Sequence, residues 1–251
     1  VPTSETASID YWTTMLVDQQ QPVMLVGYAG CGKTQFINGF LRSRDQSTFT
    51  FQTMNFNFYT NTNLLQATME APLEKKTGNT YGPKGTSKMI YFLDDLNLPE
   101  VDEYGTQSAI ALLRQHIDYG QWYDRDKLAL KKITNCQYVS CMNHTVGSFV
   151  INPRLQRHFT TFGIGLPGAA SLLTIYQTFL DGHLSNFDLA VKGLSSALIK
   201  AALGLHSSVS GKFKKTAKNF HYEFNVRHLS GVFQGLLNSN PDQFSNPAKM
   251  V

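Results

Sequence analysis

Apolar residues in the first two thirds of the chain alternate between short runs typical of buried strands and stripes at helical spacing. The predicted strands cover 22–26, 49–56, 89–95, 136–142 and 159–164. The predicted helices cover 36–41, 61–74, 106–117 and 153–158, with Thr106 as a cap and Gly120 as a stop. Such alternation is typical of parallel sheets. We therefore predict an α/β fold with a five-stranded parallel sheet sandwiched by helices.

Two further segments and a change of pattern complete the predicted organisation. Residues 77–87 are dense in Gly, Pro, Thr and Asn and predict a loop, whereas 122–128 predict a hairpin with a charged turn. Beyond the Gly-Leu-Pro-Gly of 165–168 only helical stripes recur. We place a domain boundary at Pro167, which gives a larger domain over 1–167 and a smaller, all-helical domain over 168–251.

The most informative motif follows the first predicted strand. Residues 27–34 read Gly-Tyr-Ala-Gly-Cys-Gly-Lys-Thr, the complete Gly-x-x-x-x-Gly-Lys-Thr pattern of a phosphate-binding loop. The glycines let backbone N–H groups approach phosphate oxygens, while the lysine reaches the outer phosphates and the threonine hydroxyl reaches Mg²⁺. An accidental glycine-rich turn is a weak alternative between a strand and an apolar helical stripe. The predicted nucleotide contacts are Gly27, Tyr28, Ala29, Gly30, Cys31, Gly32, Lys33, Thr34 and Gln35.

Polar residues also end two of the other predicted strands. Asp94 and Asp95 end the run over 89–95, and Asp94 is the natural carboxylate for holding Mg²⁺ with Thr34. Asn143 ends the neighbouring strand, where its amide could orient an attacking water. Capping carboxylates and an ordinary turn asparagine are the structural alternatives. The sequence therefore predicts Asp95 and Asn143 as catalytic residues and Thr34 and Asp94 as metal ligands.

Composition limits the other function classes. The net charge of +4 is mild, and we interpret the basic run over 212–218 as a solvated face rather than a nucleic-acid site. Three cysteines, one of them inside the loop motif, indicate a reducing compartment. The histidines lack the paired spacing of a metal site. We expect no membrane-spanning run and no secretory signal, and the chain ends suggest a piece of a longer protein.

Several short sequence segments scattered along the chain are specific to one family. They are 95–99 (Asp-Leu-Asn-Leu-Pro), 104–107 (Tyr-Gly-Thr-Gln), 112–115 (Leu-Leu-Arg-Gln), 141–143 (Cys-Met-Asn), 153–159 (Pro-Arg-Leu-Gln-Arg-His-Phe) and 226–230 (Val-Arg-His-Leu-Ser). Together with the loop motif, they resemble the third AAA+ module of dynein heavy chains of the axonemal type. The resemblance covers nearly the whole chain.

The resemblance implies an AAA+ P-loop NTPase fold, bound ATP or ADP with Mg²⁺, and further site residues. Val1 and Pro2 match the segment that lies over adenine in this family. Asn143 matches the first sensor, and Arg227 matches the second sensor, which reaches the phosphates from the helical lid. Arg154 or Arg157 matches the arginine finger, which acts in trans on the neighbouring module. The lid is expected to be truncated at its C-terminal end.

One departure from the family pattern affects the expected rate. AAA+ hydrolases usually follow the magnesium aspartate with a glutamate that polarises water, whereas this chain has Asp95. Shortening the side chain by one methylene retracts the carboxylate by about 1 Å, and misplacement on that scale can cost on the order of 100-fold in rate. We therefore predict slow hydrolysis, and weak or absent ATPase activity in isolation, where the finger of the neighbouring module is missing.

The implied function is a regulatory nucleotide site in the ring of a minus-end-directed microtubule motor that supports ciliary beating. The implied partners are neighbouring AAA+ modules of the same heavy chain and, through the whole motor, dynein intermediate and light chains and microtubules. The implied location is the cytoplasm and cytoskeleton, in the axoneme of a cilium or flagellum. Two alternatives remain: a structural ring segment that holds ADP without cycling, and a stand-alone phosphotransferase, for which no acceptor-activating base is evident.

Overall fold

The computed structural model describes residues 1–144, 151–244, 246 and 248. In chain order, the described elements are α1 (Ser4–Asp18), β1 (Val23–Gly27), α2 (Lys33–Ser43), β2 (Phe49–Asn55), α3 (Thr62–Glu70), β3 (Leu73–Lys75), β4 (Thr80–Pro83), β5 (Lys88–Asp94), α4 (Ser108–Tyr119), β6 (Gln121–Tyr123), β7 (Leu130–Ile133), β8 (Cys136–Met142), α5 (Pro153–Gln156), β9 (Thr160–Ile164), α6 (Ala169–Leu184), α7 (Leu189–Lys192), α8 (Ser195–Lys212) and α9 (Val226–Leu236). Within these ranges no helix is long and apolar enough to cross a membrane.

The chain forms two compact units. The sheet unit comprises 8–28 and 32–165, and the helical unit comprises 1–7, 29–31 and the chain from Leu166 onward. The sheet unit contains a central sheet of five strands in the order β2-β5-β8-β1-β9, with all neighbours parallel. This arrangement confirms the predicted five-stranded parallel α/β fold. In such sheets ligands bind at the carboxyl ends of the strands.

Both faces of the central sheet are covered by apolar side chains, which explains why its inner strands appear as continuous apolar runs rather than alternating ones. One buried cluster packs β1, β5 and β8 against α2 and includes Val23, Ile37 and Val139. The other lies on the opposite face, against α3 and α4, and includes Met24, Tyr91 and Leu113. The two layers hold the strand ends in fixed register.

A second sheet in this unit departs from the predictions. Its order is β3-β4-β7-β6, and the predicted hairpin is confirmed as the antiparallel β6–β7 pair. The predicted loop over 77–87 is wrong at β4, which pairs with both β3 and β7. The predicted helix over 61–74 is also too long, because α3 ends at Glu70 and the chain then enters β3.

The helix α4 begins later than predicted. Its N-cap is Gln107, because Thr106 turns back and donates hydrogen bonds to the carboxylate of Asp102 from both its backbone N–H and its hydroxyl. Gly120 ends the helix at a φ of 66°, a left-handed conformation that glycine adopts without a Cβ clash.

The described part of the helical unit has a small apolar core built on α6 to α9. The stacked rings of Tyr176 and Phe233, with centroids 4.0 Å apart, join α6 to α9. The other buried members are Leu180, Leu184, Phe187, Val191, Ile199 and Leu229. All four elements are helical, as the stripes beyond 168 predicted.

Candidate nucleotide-binding site

The loop motif lies between a buried strand and a helix, as its sequence context predicted. β1 ends at Gly27 and α2 begins at Lys33. Gly30 and Gly32 have φ values of 79° and 90°, which are unfavourable for residues with a Cβ, and Gly32 is the N-cap of α2. The positive end of a helix and a glycine-rich turn together form an anion-binding concavity. The loop geometry therefore fits a phosphate.

Lys33 is held inside the loop by its ammonium group. Its Nζ atom donates hydrogen bonds to the carbonyl oxygens of Gly27 and Tyr28, each at 2.8 Å, and the residue is 8% exposed. These acceptors carry no net charge. Because charge-assisted hydrogen bonds to phosphate are stronger than those to a neutral carbonyl, phosphate oxygens could replace these partners with a net gain.

Thr34 and Asp94 meet across the sheet, as predicted, although 60 residues separate them in the chain. The Thr34 hydroxyl donates to Oδ2 of Asp94 at 3.0 Å and lies 3.3 Å from Oδ1. Thr34 is in the first turn of α2, and Asp94 ends β5. Magnesium prefers oxygen ligands and keeps several waters, so a hydroxyl beside a carboxylate is a fitting donor set.

Cys141 contacts the same carboxylate, which the sequence reasoning did not foresee. Its thiol donates to Oδ1 of Asp94 at 2.6 Å, and the side chain is completely buried. Burial raises the pKa of this thiol well above its usual value, and the hydrogen bond to Asp94 raises it further. The group therefore remains protonated, and is a donor, at neutral pH. The available signal was its place two residues before Asn143 on the same strand.

Asp95 and Asn143 follow the ends of two neighbouring strands, at the same edge of the sheet as the loop. Asp95 is exposed and has a φ of 55°, a left-handed conformation that aspartate tolerates better than most residues. Asn143 is 7% exposed, and its backbone oxygen accepts a hydrogen bond from Nδ2 of the buried Asn97 at 3.0 Å. Asn97 is thus a supporting residue that the sequence reasoning missed.

Tyr28 and Gln35 are predicted contacts of the sheet unit whose side chains are exposed. Tyr28 packs edge-on against the ring of His144, with centroids 4.6 Å apart. His144 directly follows Asn143, so this ring contact joins the end of β8 to the loop. Gln35 lies on the solvent side of the first turn of α2. The sequence reasoning had assigned no role to His144.

The helical unit contains the remaining predicted nucleotide contacts. Val1 is half exposed, and Pro2 lines a cavity of about 410 Å³ with Thr3, Ala7, Ser171 and other residues of the N-terminal segment and α6. Near this cavity the hydroxyl of Ser171 donates to Oε2 of Glu5 at 2.7 Å. These contacts tie the N-terminal segment to α6.

Ala29, Gly30 and Cys31 group with this unit as well. A Cβ atom at Gly30 would lie 3.3 Å from Cγ of Asn225, the N-cap of α9. Arg227 is exposed in the first turn of that helix, and its backbone N–H donates to Oδ1 of Asn225 at 3.0 Å. The start of α9 therefore lies beside a glycine of the loop motif.

Arg154 and Arg157 lie on or just after the short helix α5, and both are exposed. Arg157 donates from Nη2 to Oδ1 of Asp118 at 3.3 Å, and His158 lies 2.8 Å from the same oxygen through Nε2. These contacts place Arg157 beside the C-terminal part of α4. Arg154 is bound through its backbone N–H to Oδ1 of Asn152 at 2.9 Å.

A glycine-rich loop between β1 and α2, with a lysine, a threonine and a strand-ending aspartate in these positions, defines a P-loop nucleotide-binding domain. The model of the P-loop-containing dynein motor region matches residues 1–167, and that of the AAA+ lid domain matches 198–251. The chain therefore belongs to the P-loop-containing dynein motor family.

The relatives are consistent with this assignment. The chain is 50% identical over 250 residues to the dynein alpha chain of the flagellar outer arm of Chlamydomonas reinhardtii, covering 99% of the chain and 6% of that relative. It is 49% identical over 253 residues to human dynein axonemal heavy chain 17, covering all of the chain and 6% of the relative. It is 49% identical over 249 residues to the ciliary dynein beta chain of Tripneustes gratilla, covering 98% and 6%. The chain thus spans about 6% of the length of these relatives.

Proposed function

We propose that the chain is the third AAA+ module of a dynein heavy chain of the axonemal type and binds ATP and Mg²⁺ as a regulatory site of the motor. The observation that supports this most directly is the contact of Thr34 with Asp94 at 3.0 Å beside the intact loop around Lys33. The proposed domains are 1–167, for nucleotide binding, and 168–251, a helical lid.

The proposed roles follow from the position of each group. Lys33 neutralises the outer phosphates, since its ammonium is already directed into the loop. Thr34 and Asp94 would hold Mg²⁺ through the hydroxyl and carboxylate groups that already lie together. Mg²⁺, when bound, would supply charge neutralisation at the phosphates. Val1 and Pro2 cover the adenine, and Arg227 reaches the phosphates as the second sensor.

The hydrolytic roles belong to Asp95 and Asn143. Asp95 accepts a proton from the attacking water, and Asn143 orients that water. The left-handed backbone at Asp95 supports a special role there, because such conformations concentrate at functional sites. Its shorter side chain sets the carboxylate back, so turnover is slow. Arg154 or Arg157 serves the neighbouring module as a finger in trans, and both are exposed as that role requires.

The names of the relatives support the location and the partners. They are described as flagellar, axonemal and ciliary dynein chains, so we place this chain in the axoneme of a cilium or flagellum. Its immediate partners are then the neighbouring AAA+ modules of the same heavy chain. Intermediate and light chains and microtubules are partners of the whole motor.

Calorimetric titration with ATP and ADP in Mg²⁺ tests the site. We expect binding that Lys33→Ala weakens by at least about 100-fold, because the substitution removes a charge-assisted contact to two phosphates. Lys131→Met is the matched control, since Lys131 is also largely buried but lies in the second sheet. It should leave the affinity within about twofold. Equal losses in both variants, or no binding by a folded parent chain, would contradict the proposal.

The same preparation tests the regulatory role against the structural alternative. A site that cycles should bind ATP at least as tightly as ADP and release phosphate slowly, and Asp95→Glu should increase that release by up to about 100-fold. A strong preference for ADP over ATP would favour a ring segment that holds ADP permanently.

A further inference from the structure

Cys141 occupies the strand between the two strands that carry the loop and the magnesium carboxylate. β8 pairs with β1 on one side, where Leu25 is opposite Cys141, and with β5 on the other, where Leu93 is opposite Ser140. Asp94 is the next residue along β5 and is therefore level with Cys141. Paired residues of neighbouring strands point to the same face of a sheet. The register thus places the thiol beside the carboxylate.

Two side chains contact the Asp94 carboxylate, Cys141 at one oxygen and Thr34 at both, with the shorter Thr34 distance to the other oxygen. The Cys141 thiol lies 2.6 Å from Oδ1, and the Thr34 hydroxyl is closest to Oδ2 at 3.0 Å. The terminal torsion of an aspartate is broad, so a single donor leaves the carboxylate plane free to rotate. Two donors on two oxygens fix that plane.

We propose that Cys141 is a positioning residue that fixes the Asp94 carboxylate for Mg²⁺, an inference that rests on the function proposed above. The thiol holds Oδ1, and Oδ2 is thereby directed to the Thr34 hydroxyl, where Mg²⁺ would be held. Partners that orient a metal ligand typically contribute about 10- to 100-fold to metal affinity. Because a thiol is a weak donor, we expect an effect near the lower limit.

A simple packing role is the competing explanation, since Cys141 belongs to the apolar cluster beneath α2. The two explanations differ in what serine can replace. Serine retains a donor of nearly the same reach but is a poor hydrophobic filler, whereas alanine removes the donor and leaves a small apolar group. A positioning role predicts rescue by serine, and a packing role does not.

The first test measures how strongly Mg²⁺ couples to nucleotide binding. ATP is titrated into the 251-residue chain in excess Mg²⁺ and again in chelator, and the ratio of the Kd in chelator to the Kd in Mg²⁺ is compared among variants. We expect Cys141→Ala to lower this ratio about tenfold with the Kd in chelator unchanged, and Cys141→Ser to keep it within about threefold. Cys136→Ala is the matched control, because Cys136 starts the same strand and its thiol donates to the Thr134 carbonyl.

An unchanged ratio in Cys141→Ala, or an equal loss in Cys141→Ser, would overturn the positioning role while leaving the nucleotide site intact.

The second test needs no nucleotide and therefore separates this inference from the proposed function. In the infrared spectrum the S–H stretch of Cys141 should be displaced to lower frequency, disappear in Cys141→Ala and shift back in Asp94→Ala. A band that does not respond to Asp94→Ala would show that the thiol does not hold the carboxylate.

Discussion

The two sheets of the sheet unit are stabilised by different means. The central sheet has strands of five to seven residues, and apolar side chains bury its inner strands β1, β5 and β8 on both faces. The second sheet has strands of three or four residues that are only partly buried, and polar contacts supply much of what fixes it. In the central sheet, the polar residues are at the strand ends and form the candidate site. In the second sheet, they form the scaffold.

The polar contacts of the second sheet centre on Glu70 at the end of α3. Its carboxylate accepts from Nε1 of Trp122 at 2.7 Å and from Nζ of Lys131 at 2.8 Å. Lys131 also pairs with Asp124 at 2.8 Å, and this hydrogen bond lowers the pKa of Asp124 to about 2. The carboxylate of Asp124 therefore stays ionised down to strongly acidic pH. The network joins α3 to both strands of the hairpin.

One lysine in each region illustrates this difference between structural polar contacts and a candidate binding site. Lys131 is held by two carboxylates, each 2.8 Å from its ammonium group, so its own charge is neutralised within the fold. Lys33 donates to two carbonyl oxygens, which a phosphate can replace. Burial of a lysine is thus not a sign of function by itself. The loop carbonyl groups that bind Lys33, rather than its burial, make it the candidate ligand-binding lysine.

The largest expected effect on stability comes from substituting Trp122, which is completely buried where the second sheet meets α3 and α4. We expect Trp122→Ala to lower the free energy of unfolding by about 3–5 kcal/mol in urea titrations, because it removes a large apolar side chain and leaves Glu70 without one donor. The ATP affinity of the folded variant should stay within about threefold of the parent value.

Trp122→Phe is the control that separates the two contributions. It retains most of the apolar volume and loses only the N–H donor, so about 1–2 kcal/mol should be lost. If Trp122→Ala instead reduced ATP affinity as much as Lys33→Ala does, the second sheet would belong to the site and the contrast between the two regions would be wrong.

The next effect is a pH dependence at the junction of the two sheets. His116 on α4 accepts or donates a 2.6 Å hydrogen bond with Tyr138 of β8, and its ring lies 5.2 Å from that of Trp122. Burial lowers the pKa of His116 to about 4, and a hydrogen bond with the Ile133 backbone acts in the opposite direction. The unfolded chain therefore binds a proton below about pH 6.5 that the folded chain excludes down to about pH 4.

This contribution to stability is complete above about pH 6.5 and is lost as the pH falls toward 4, by about 3 kcal/mol in total. Urea unfolding of the parent chain and of His116→Gln at several pH values isolates the contribution of His116 to the free energy of unfolding. The carboxylates titrate in both proteins, so their contribution cancels in the comparison. The difference in slope between parent and variant should vanish above pH 7. Parallel curves between pH 6.5 and 4 would mean that His116 titrates normally in the fold.

The sequence predicted the central sheet and the loop because their signals are local. Continuous apolar runs predict β1, β5 and β8. The Gly-Lys-Thr motif identifies the loop without any information about the tertiary structure. β4 was missed because Gly82 and Pro83 are typical of loops. In the structure, a Cβ at Gly82 would lie 3.2 Å from the Thr134 carbonyl oxygen, so the glycine serves a close approach of chain segments.

The contact of Cys141 with Asp94 was likewise out of reach of sequence reasoning, for a different reason. It depends on the register between β5 and β8, and 47 residues separate the two side chains along the chain. Local periodicity indicates that each strand is buried and where it ends, but it does not align two strands to one residue. Contacts that need alignment of distant segments therefore appear only in the structure.

The smallest expected effects come from replacing glycine by alanine at two positions, one in each region. Gly120 joins α4 to β6 in a left-handed conformation, with a φ of 66°, and alanine there should lower stability by about 1 kcal/mol. Gly39 is in the interior of α2, beneath the loop, and no heavy atom would lie within 4 Å of an added Cβ. Alanine at Gly39 should raise stability by about 0.5–1 kcal/mol, since it restricts the unfolded chain and favours the helix.

Thermal unfolding of both variants decides the sign at each position, and ATP titration gives the second readout. Gly120→Ala should leave the affinity unchanged, because the strain falls at the entrance to the second sheet. Gly39→Ala should also leave it unchanged, since α2 gains rigidity without moving Lys33 or Thr34 at its start. A loss of ATP affinity in Gly39→Ala, despite higher stability, would instead indicate that the site requires flexibility in α2. The central sheet and α2 would then support the nucleotide site less rigidly than their packing indicates.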